Sequence, residues 1–85
     1  MTTVKRQQDE ARLLDAIRGG SVDALGEVYG RYAGVVYGLA LQMTGSCDEA
    51  EDVLQDVFVG LSRALRSYEE RGRFESWLRR VTART

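Results

Sequence analysis

The sequence contains no proline, no histidine and only one cysteine in 85 residues. Without proline the strongest helix breaker is missing, and with Cys47 alone no internal disulfide can form. The lack of histidine removes the commonest acid–base catalyst and, together with the lone thiol, the usual ligands of a zinc site. Glycine-rich phosphate-binding motifs are missing as well. We therefore expect a protein that is not an enzyme, with no catalytic residues, no metal and no cofactor.

Long apolar runs are also missing. No stretch approaches the ~20 residues that a membrane span needs, and the polar start, MTTVKRQQDE, does not resemble a signal peptide. Hydrophobic residues make up 44% of the chain and charged residues 29%, proportions typical of a small globular domain. We expect a cytoplasmic protein without membrane insertion, in which residues 1–9 form a flexible tail and residues 10–85 form one helical domain.

Apolar residues recur at the helical spacing of three and four in four segments. The stripe over residues 11–17 is short and ends at a Gly-Gly pair, and the stripe over residues 25–43 follows Ser21, a potential N-cap. A third begins at the capping-box pattern S-x-x-E of residues 46–49, and a fourth covers residues 74–81. These patterns predict an all-α fold, a compact bundle of about four helices with a short first one. Because the last stripe is still running at Thr85, we expect the chain to be one domain of a longer protein.

The third predicted helix has two distinct faces. Its core face carries Ala50, Val53, Leu54, Val57, Phe58, Leu61, Ala64 and Leu65. Its opposite face carries Asp52, Gln55, Asp56, Val59, Arg63 and Arg66. The helix thus separates a buried stripe from a polar surface that it presents outward.

Charge is distributed unevenly along the chain. Residues 46–56 contain five carboxylates and no base, whereas residues 57–85 contain seven arginines and three glutamates. Glu51, Asp52 and Asp56 are candidates for metal binding or carboxylate chemistry, but acids near a helix start are stabilised there by the helix dipole. Solvated charge is the commoner explanation of such blocks, and phosphate binding is an alternative for the arginines. The aromatic residues Phe74 and Trp77 suit base stacking, but their position on an apolar stripe favours the core.

The stretch AEDVLQDVF, followed at this spacing by an F-x-x-W-L helix, resembles region 2 of the bacterial extracytoplasmic-function (ECF) sigma factors of the sigma-70 superfamily. The resemblance extends upstream through SVDALGEVYGRYAGVVYGLALQMTG and covers most of the chain. It implies a sigma region 2-like bundle that binds core RNA polymerase and recognises and melts the promoter minus-ten element.

The resemblance also assigns residues by position. In the family the acidic helix docks on the clamp helices of the polymerase beta-prime subunit, and the polymerase-binding residues would be Asp52, Gln55, Asp56, Val59, Ser62 and Arg63. The following loop and helix bind the non-template strand, and the DNA-binding residues would be Tyr68, Arg71, Gly72, Arg73, Arg79, Arg80 and Arg84. Trp77 would support the last helix from inside. Where many family members carry Ala-Arg-Asn, this chain ends in Ala-Arg-Thr.

The same resemblance implies an anti-sigma factor as a further partner. It leaves open an alternative function, a sigma-like decoy that occupies an anti-sigma factor and never engages DNA. The arginines of the last third favour the sigma factor, because a decoy has no need of a phosphate-binding surface.

Overall fold

The structure, a computed structural model, describes residues 2–68 and 72–85, with side chains from Asp9 onward. Five helices follow one another within these described residues: α1 (Thr2–Arg18), α2 (Val22–Thr44), α3 (Cys47–Val59), α4 (Leu61–Ala64) and α5 (Phe74–Arg84). A 3₁₀ turn, Leu65–Ser67, directly follows α4. The central helix is α2, against which α1, α3 and α5 all pack. The predicted all-α bundle is confirmed.

The predicted short first helix is wrong, because α1 begins at Thr2 and contains 17 residues. Residues 2–9, which the sequence assigned to a tail, form its first turns. The apolar stripe does not extend into these turns and therefore did not reveal them. They contain neither proline nor glycine, and the lysine, arginine and two glutamines among them favour helix without needing a core to face.

The third predicted helix, which begins at residue 46 and has a core face extending to Leu65, is divided at Gly60. This glycine has φ −88° and ψ 2°, outside the helical region. Its amide still donates to the Asp56 carbonyl at 3.0 Å, and its carbonyl accepts from the Ala64 amide at 3.0 Å. Hydrogen bonds of helical i to i−4 type thus lead into and out of Gly60, and only this residue separates α3 from α4. A Cβ at position 60 would lie 3.3 Å from the Asp56 carbonyl oxygen, so the turn suits glycine.

The predicted helix caps are largely confirmed. Ser21 Oγ accepts from the Ala24 amide at 3.1 Å, and Ser46 Oγ accepts from the Glu49 amide at 3.3 Å. The Ser46 amide donates to Thr44 Oγ1 at 3.3 Å, so the returning half of the capping box is not formed. These caps satisfy amides that the first helical turn leaves without partners.

The core lies where α2 meets the other helices. The predicted inward stripe of the third helix is confirmed, since all its members are buried or partly buried. Phe74 is 1% exposed, and its ring lies edge-on to Tyr32 with 5.2 Å between centroids. Within the described part of the chain, none of the helices is both long and apolar enough to cross a bilayer.

A hydrogen bond from the Tyr32 hydroxyl to the Glu10 carboxylate joins α2 to α1. Burial, followed by this hydrogen bond and by the negative charge of Glu10, raises the pKa of the Tyr32 phenol well above its ordinary value. The folded state therefore favours the neutral phenol.

We expect the domain to lose stability as the pH rises above about 10, the ordinary pKa of tyrosine. Above that pH the unfolded chain releases the Tyr32 proton while the folded chain retains it, so deprotonation favours unfolding. Below it this contribution is fully present. Urea denaturation between pH 8 and pH 11 (roughly the span of the ordinary tyrosine transition) measures the slope.

The matched variant is Tyr32→Phe. In this variant the free energy of unfolding should fall less steeply as the pH rises, that is, with a smaller alkaline slope. Some slope should persist, because a hydrogen bond with Cys47 raises the pKa of Tyr37 as well. An alkaline slope equal to that of the unmodified protein would show that the Tyr32 phenol is not its source.

Candidate functional site

The outward side of α3 carries the acidic face, defined here by Asp52, Gln55, Asp56 and Val59. All four residues are exposed, and Val59 is 81% exposed. The structure thus brings these residues together as the helical spacing predicted. Ser62 and Arg63, which the sequence placed beside them, are exposed on α4.

Neither Asp52 nor Asp56 forms an ion pair with another described side chain. The negative charge of the acidic face is therefore not neutralised by a basic residue of the described chain. Some other acids have a local partner. Asp15 lies 2.7 Å from Arg18, Glu27 lies 3.3 Å from Arg31, and Glu75 lies 3.2 Å from Arg79. The acidic face therefore presents uncompensated negative charge to any basic surface that approaches it.

An apolar groove of about 340 Å³ lies beside the acidic face, between the start of α2 and the end of α3. Its lining residues are Val22, Leu25, Gly26, Tyr29, Gln55, Phe58 and Val59. Val22 is 79% exposed, and the Tyr29 and Phe58 rings meet edge-on with 5.0 Å between centroids. Gln55 and Val59 belong to both the groove and the acidic face. Sequence analysis did not find the groove, because periodicity assigned Leu25 and Tyr29 to the core stripe of α2.

The arginines of the last third are arranged around α5. Arg73 is exposed immediately before the helix, and Arg80 and Arg84 are exposed along it. Arg79 is exposed as well and donates to Glu75 at 3.2–3.3 Å. Gly72 has φ +70°, a left-handed conformation that favours glycine. Arg71, predicted to bind DNA, lies outside the described residues.

Tyr68 is placed differently from what base recognition requires. It is 8% exposed, and its ring packs against Phe74 and Trp77 with centroid separations of 5.8 and 4.9 Å. The ring therefore belongs to the core and is not presented to a ligand. The core interpretation of Trp77 is confirmed, since this residue is partly buried against the same cluster.

Sequence analysis also missed Arg18, the last residue of α1. Its Nε donates to the Leu65 carbonyl at 3.0 Å, its Nη2 to the Tyr68 carbonyl at 2.9 Å, and its Nη1 to Asp15 Oδ1 at 2.7 Å. From sequence, an arginine at a helix end reads only as a favourable charge on the helix dipole. Its partners 47 and 50 residues away leave no local signal.

Together these features define a small helical domain that presents an acidic face beside an apolar groove and a separate set of arginines around another helix. Residues 28–85 match the family model of sigma-70 region 2, which is more than half of the chain. The chain therefore belongs to the sigma-70 region 2 family, and the resemblance noted from sequence is confirmed.

Three curated proteins illustrate the relationship. The ECF RNA polymerase sigma factor SigE of Mycolicibacterium smegmatis is 38% identical over 56 residues, which cover 66% of this chain and 21% of the relative. The ECF sigma factor SigW of Bacillus subtilis is 29% identical over 65 residues, covering 76% and 35%. The RNA polymerase sigma factor CarQ of Myxococcus xanthus is 33% identical over 70 residues, covering 82% and 40%.

The chain spans well under half the length of these curated relatives. No solved structure matches it.

Proposed function

We propose that this domain is region 2 of an ECF-type RNA polymerase sigma factor, which binds core polymerase through the acidic face and minus-ten promoter DNA through the arginines around α5. The observation that carries the proposal is the exposed acidic face, whose carboxylates lack an ion-pair partner among the described residues. Membership of the sigma-70 region 2 family supports the same assignment.

The acidic face is suited to a basic helical partner, such as the clamp helices of the beta-prime subunit. Asp52 and Asp56 are one helical turn apart, so both carboxylates point to the same side of α3 and can accept from arginines of one partner helix. Gln55 lies between them and can donate and accept hydrogen bonds. The neighbouring apolar groove supplies a hydrophobic area beside this polar one, a combination typical of specific interfaces. Charge would steer the partner and fix its register, while the groove contributes affinity.

The arginines around α5 are suited to a nucleic-acid backbone. Arg80 and Arg84 are one turn apart on the same helix, exposed and without an ion pair to any other described residue. Among the described residues Arg79 is paired with an exposed glutamate, an interaction weak enough to be exchanged for a phosphate. Holding a separated DNA strand requires phosphate contacts and a place for unstacked bases, but no catalytic side chain.

Replacing Arg80 and Arg84 with alanine should weaken the binding of single-stranded DNA and reduce its salt dependence. Each lost phosphate contact lowers the slope of log K against log salt by about 0.7 for single-stranded DNA, so the double variant should lose about 1.4. The measurement is fluorescence anisotropy of a labelled oligonucleotide at a series of salt concentrations, with holoenzyme assembled from core polymerase and the protein that carries this domain.

The control is Arg12→Ala, which removes an exposed arginine from α1 and should leave the slope unchanged. An unchanged slope in the double variant would refute the role assigned to Arg80 and Arg84. If the unmodified holoenzyme does not bind the oligonucleotide even at low salt, the decoy function that binds an anti-sigma factor is favoured instead.

A further inference from the structure

We infer that Gly26 of α2 keeps the apolar groove open for one large apolar side chain of the same basic helix that the acidic face attracts. The first turns of α2 and the end of α3 then form a single docking site with an apolar half and an acidic half. The inference rests on the proposed function, because it describes how a helix of core polymerase is held. It adds Val22 and Gly26, which precede the match to sigma-70 region 2 at residues 28–85.

The groove joins an exposed apolar surface to the core of the domain. Val22 is the first residue of α2 and is 79% exposed, while Val59 is the last residue of α3 and is 81% exposed. Phe58, which also lines the groove, is buried and belongs to the hydrophobic core. The volume of about 340 Å³ is at the low end of the ~300–1,000 Å³ of ligand pockets, which suits one side chain and not a whole helix. A partner that covers this apolar surface gains affinity.

Gly26 leaves the groove open without a conformational reason of its own. It lies within α2, is exposed, and is not among the described glycines with positive φ. A Cβ at this position would meet no atom within 4 Å, so no packing contact requires a glycine here. Glycine inside a helix is nevertheless destabilising relative to alanine. Because Gly26 lines the groove, its missing side chain preserves space there for a partner.

The α2 side of the groove is held in place before any partner binds. The Ser21 amide donates to the Ala16 carbonyl at 2.9 Å, and Ser21 Oγ accepts from the Ala24 amide at 3.1 Å. These two hydrogen bonds fix the start of α2, and with it Val22, to the end of α1. The edge-on pair of aromatic rings in the groove joins α2 to α3. A preformed groove binds its occupant without the cost of ordering its own walls.

The charges beside the groove determine the kind of occupant. Asp52 and Asp56 share α3 with Val59 and have no ion-pair partner among the described side chains. Seven residues separate Asp52 from Val59, which is about 10 Å along the helix. A partner helix lying along α3 can therefore place arginine or lysine against the acids and an apolar side chain in the groove, one or two turns apart in its own sequence. A second copy of this chain fits poorly, because a symmetric contact would bring two acidic faces together.

Gly26→Leu tests the inference, with Gly38→Leu as the matched control. Both glycines are exposed in α2, and a Cβ at either position meets no atom within 4 Å, so both leucines fit the free domain. Gly38 does not line the groove and lies about 120° around the helix from Gly26. The measurement is biolayer interferometry with immobilised core polymerase and the protein that carries this domain, at several salt concentrations.

We expect Gly26→Leu to bind core polymerase about tenfold more weakly, because its leucine fills the groove and keeps out the partner's apolar side chain. Gly38→Leu should bind like the unmodified protein. The salt dependence of Kd should be the same in all three proteins, since neither substitution changes a charge. Val22→Ser should also weaken binding, and it decides the matter if Gly26→Leu fails to fold, because Val22 is too exposed to be needed for folding.

Equal affinities of Gly26→Leu and Gly38→Leu would overturn the inference and leave the acidic face alone as the docking site. An altered salt dependence in Gly26→Leu would overturn it too, since the leucine would then act through the acidic face. Light scattering of the protein alone tests the remaining occupant: a dimer that Gly26→Leu dissociates would place a second copy in the groove. If the unmodified protein does not bind core polymerase at all, the proposed function fails and the inference fails with it.

Discussion

Exchange of Asp52 and Asp56 for arginine is expected to abolish binding of this domain to core RNA polymerase while leaving its fold intact. Both residues are exposed on α3 and neither pairs with another described side chain, so the fold loses no internal contact. At the proposed interface the change replaces two attractive charge pairs by two repulsive ones. Coupling energies of close interfacial charge pairs start at about 1.5 kcal/mol, so we expect binding to weaken at least about 100-fold.

The measurement is biolayer interferometry with immobilised core polymerase, together with thermal unfolding of each variant. The control reverses Asp23 and Glu27, which are also one turn apart and exposed, but on α2, where Glu27 is paired with Arg31. It changes the net charge by the same amount and should retain much more affinity. Polymerase binding by the Asp52 and Asp56 variant at the level of the unmodified protein would refute the assignment of the acidic face.

Truncation of Phe74 to alanine should have the largest effect on stability. The side chain is 1% exposed and contacts the rings of Tyr32, Tyr68 and Trp77. Removal of a buried phenylalanine typically costs ~3–5 kcal/mol, which approaches the whole stability of a domain at the lower end of the usual range of ~5–15 kcal/mol. For a domain of 85 residues we therefore expect a variant that is largely unfolded or close to it.

Urea denaturation followed by circular dichroism measures this loss. Phe74→Leu keeps much of the buried volume and should be affected less. Met43→Ala serves as the control, because Met43 is 45% exposed and its truncation should cost under about 1 kcal/mol. A Phe74→Ala variant that unfolds at nearly the same urea concentration as the unmodified protein would show that the aromatic cluster does not hold α5 in place.

Sequence analysis predicted most reliably those features that depend on neighbours along the chain. The split of α3 into a core face and the acidic face followed from the helical period alone, since every residue of a straight helix is placed by its angle about one axis. The caps at Ser21 and Ser46 were predicted for the same reason, because a cap bonds an amide three residues away. The last third likewise combined an inward aromatic stripe with outward arginines, as its spacing indicated.

The errors concern features that apolar spacing does not encode. The first turns of α1 carry no apolar stripe, so the sequence assigned them to a tail although their residues favour helix. Tyr68 was assigned to DNA binding by its position in the family resemblance. Its burial depends on Phe74 and Trp77, which reach it only after α5 has packed against the bundle.

The sequence by itself determined the family, the helical class and which side of α3 carries the uncompensated acids, because each of these depends on residue type and local spacing. The tertiary structure alone decided that Arg18 bonds to carbonyls 47 and 50 residues away, that Tyr68 lies in the core, and that an apolar groove adjoins Gln55 and Val59. Periodicity orients a side chain about its own helix axis, whereas these contacts depend on how separate helices are placed relative to one another.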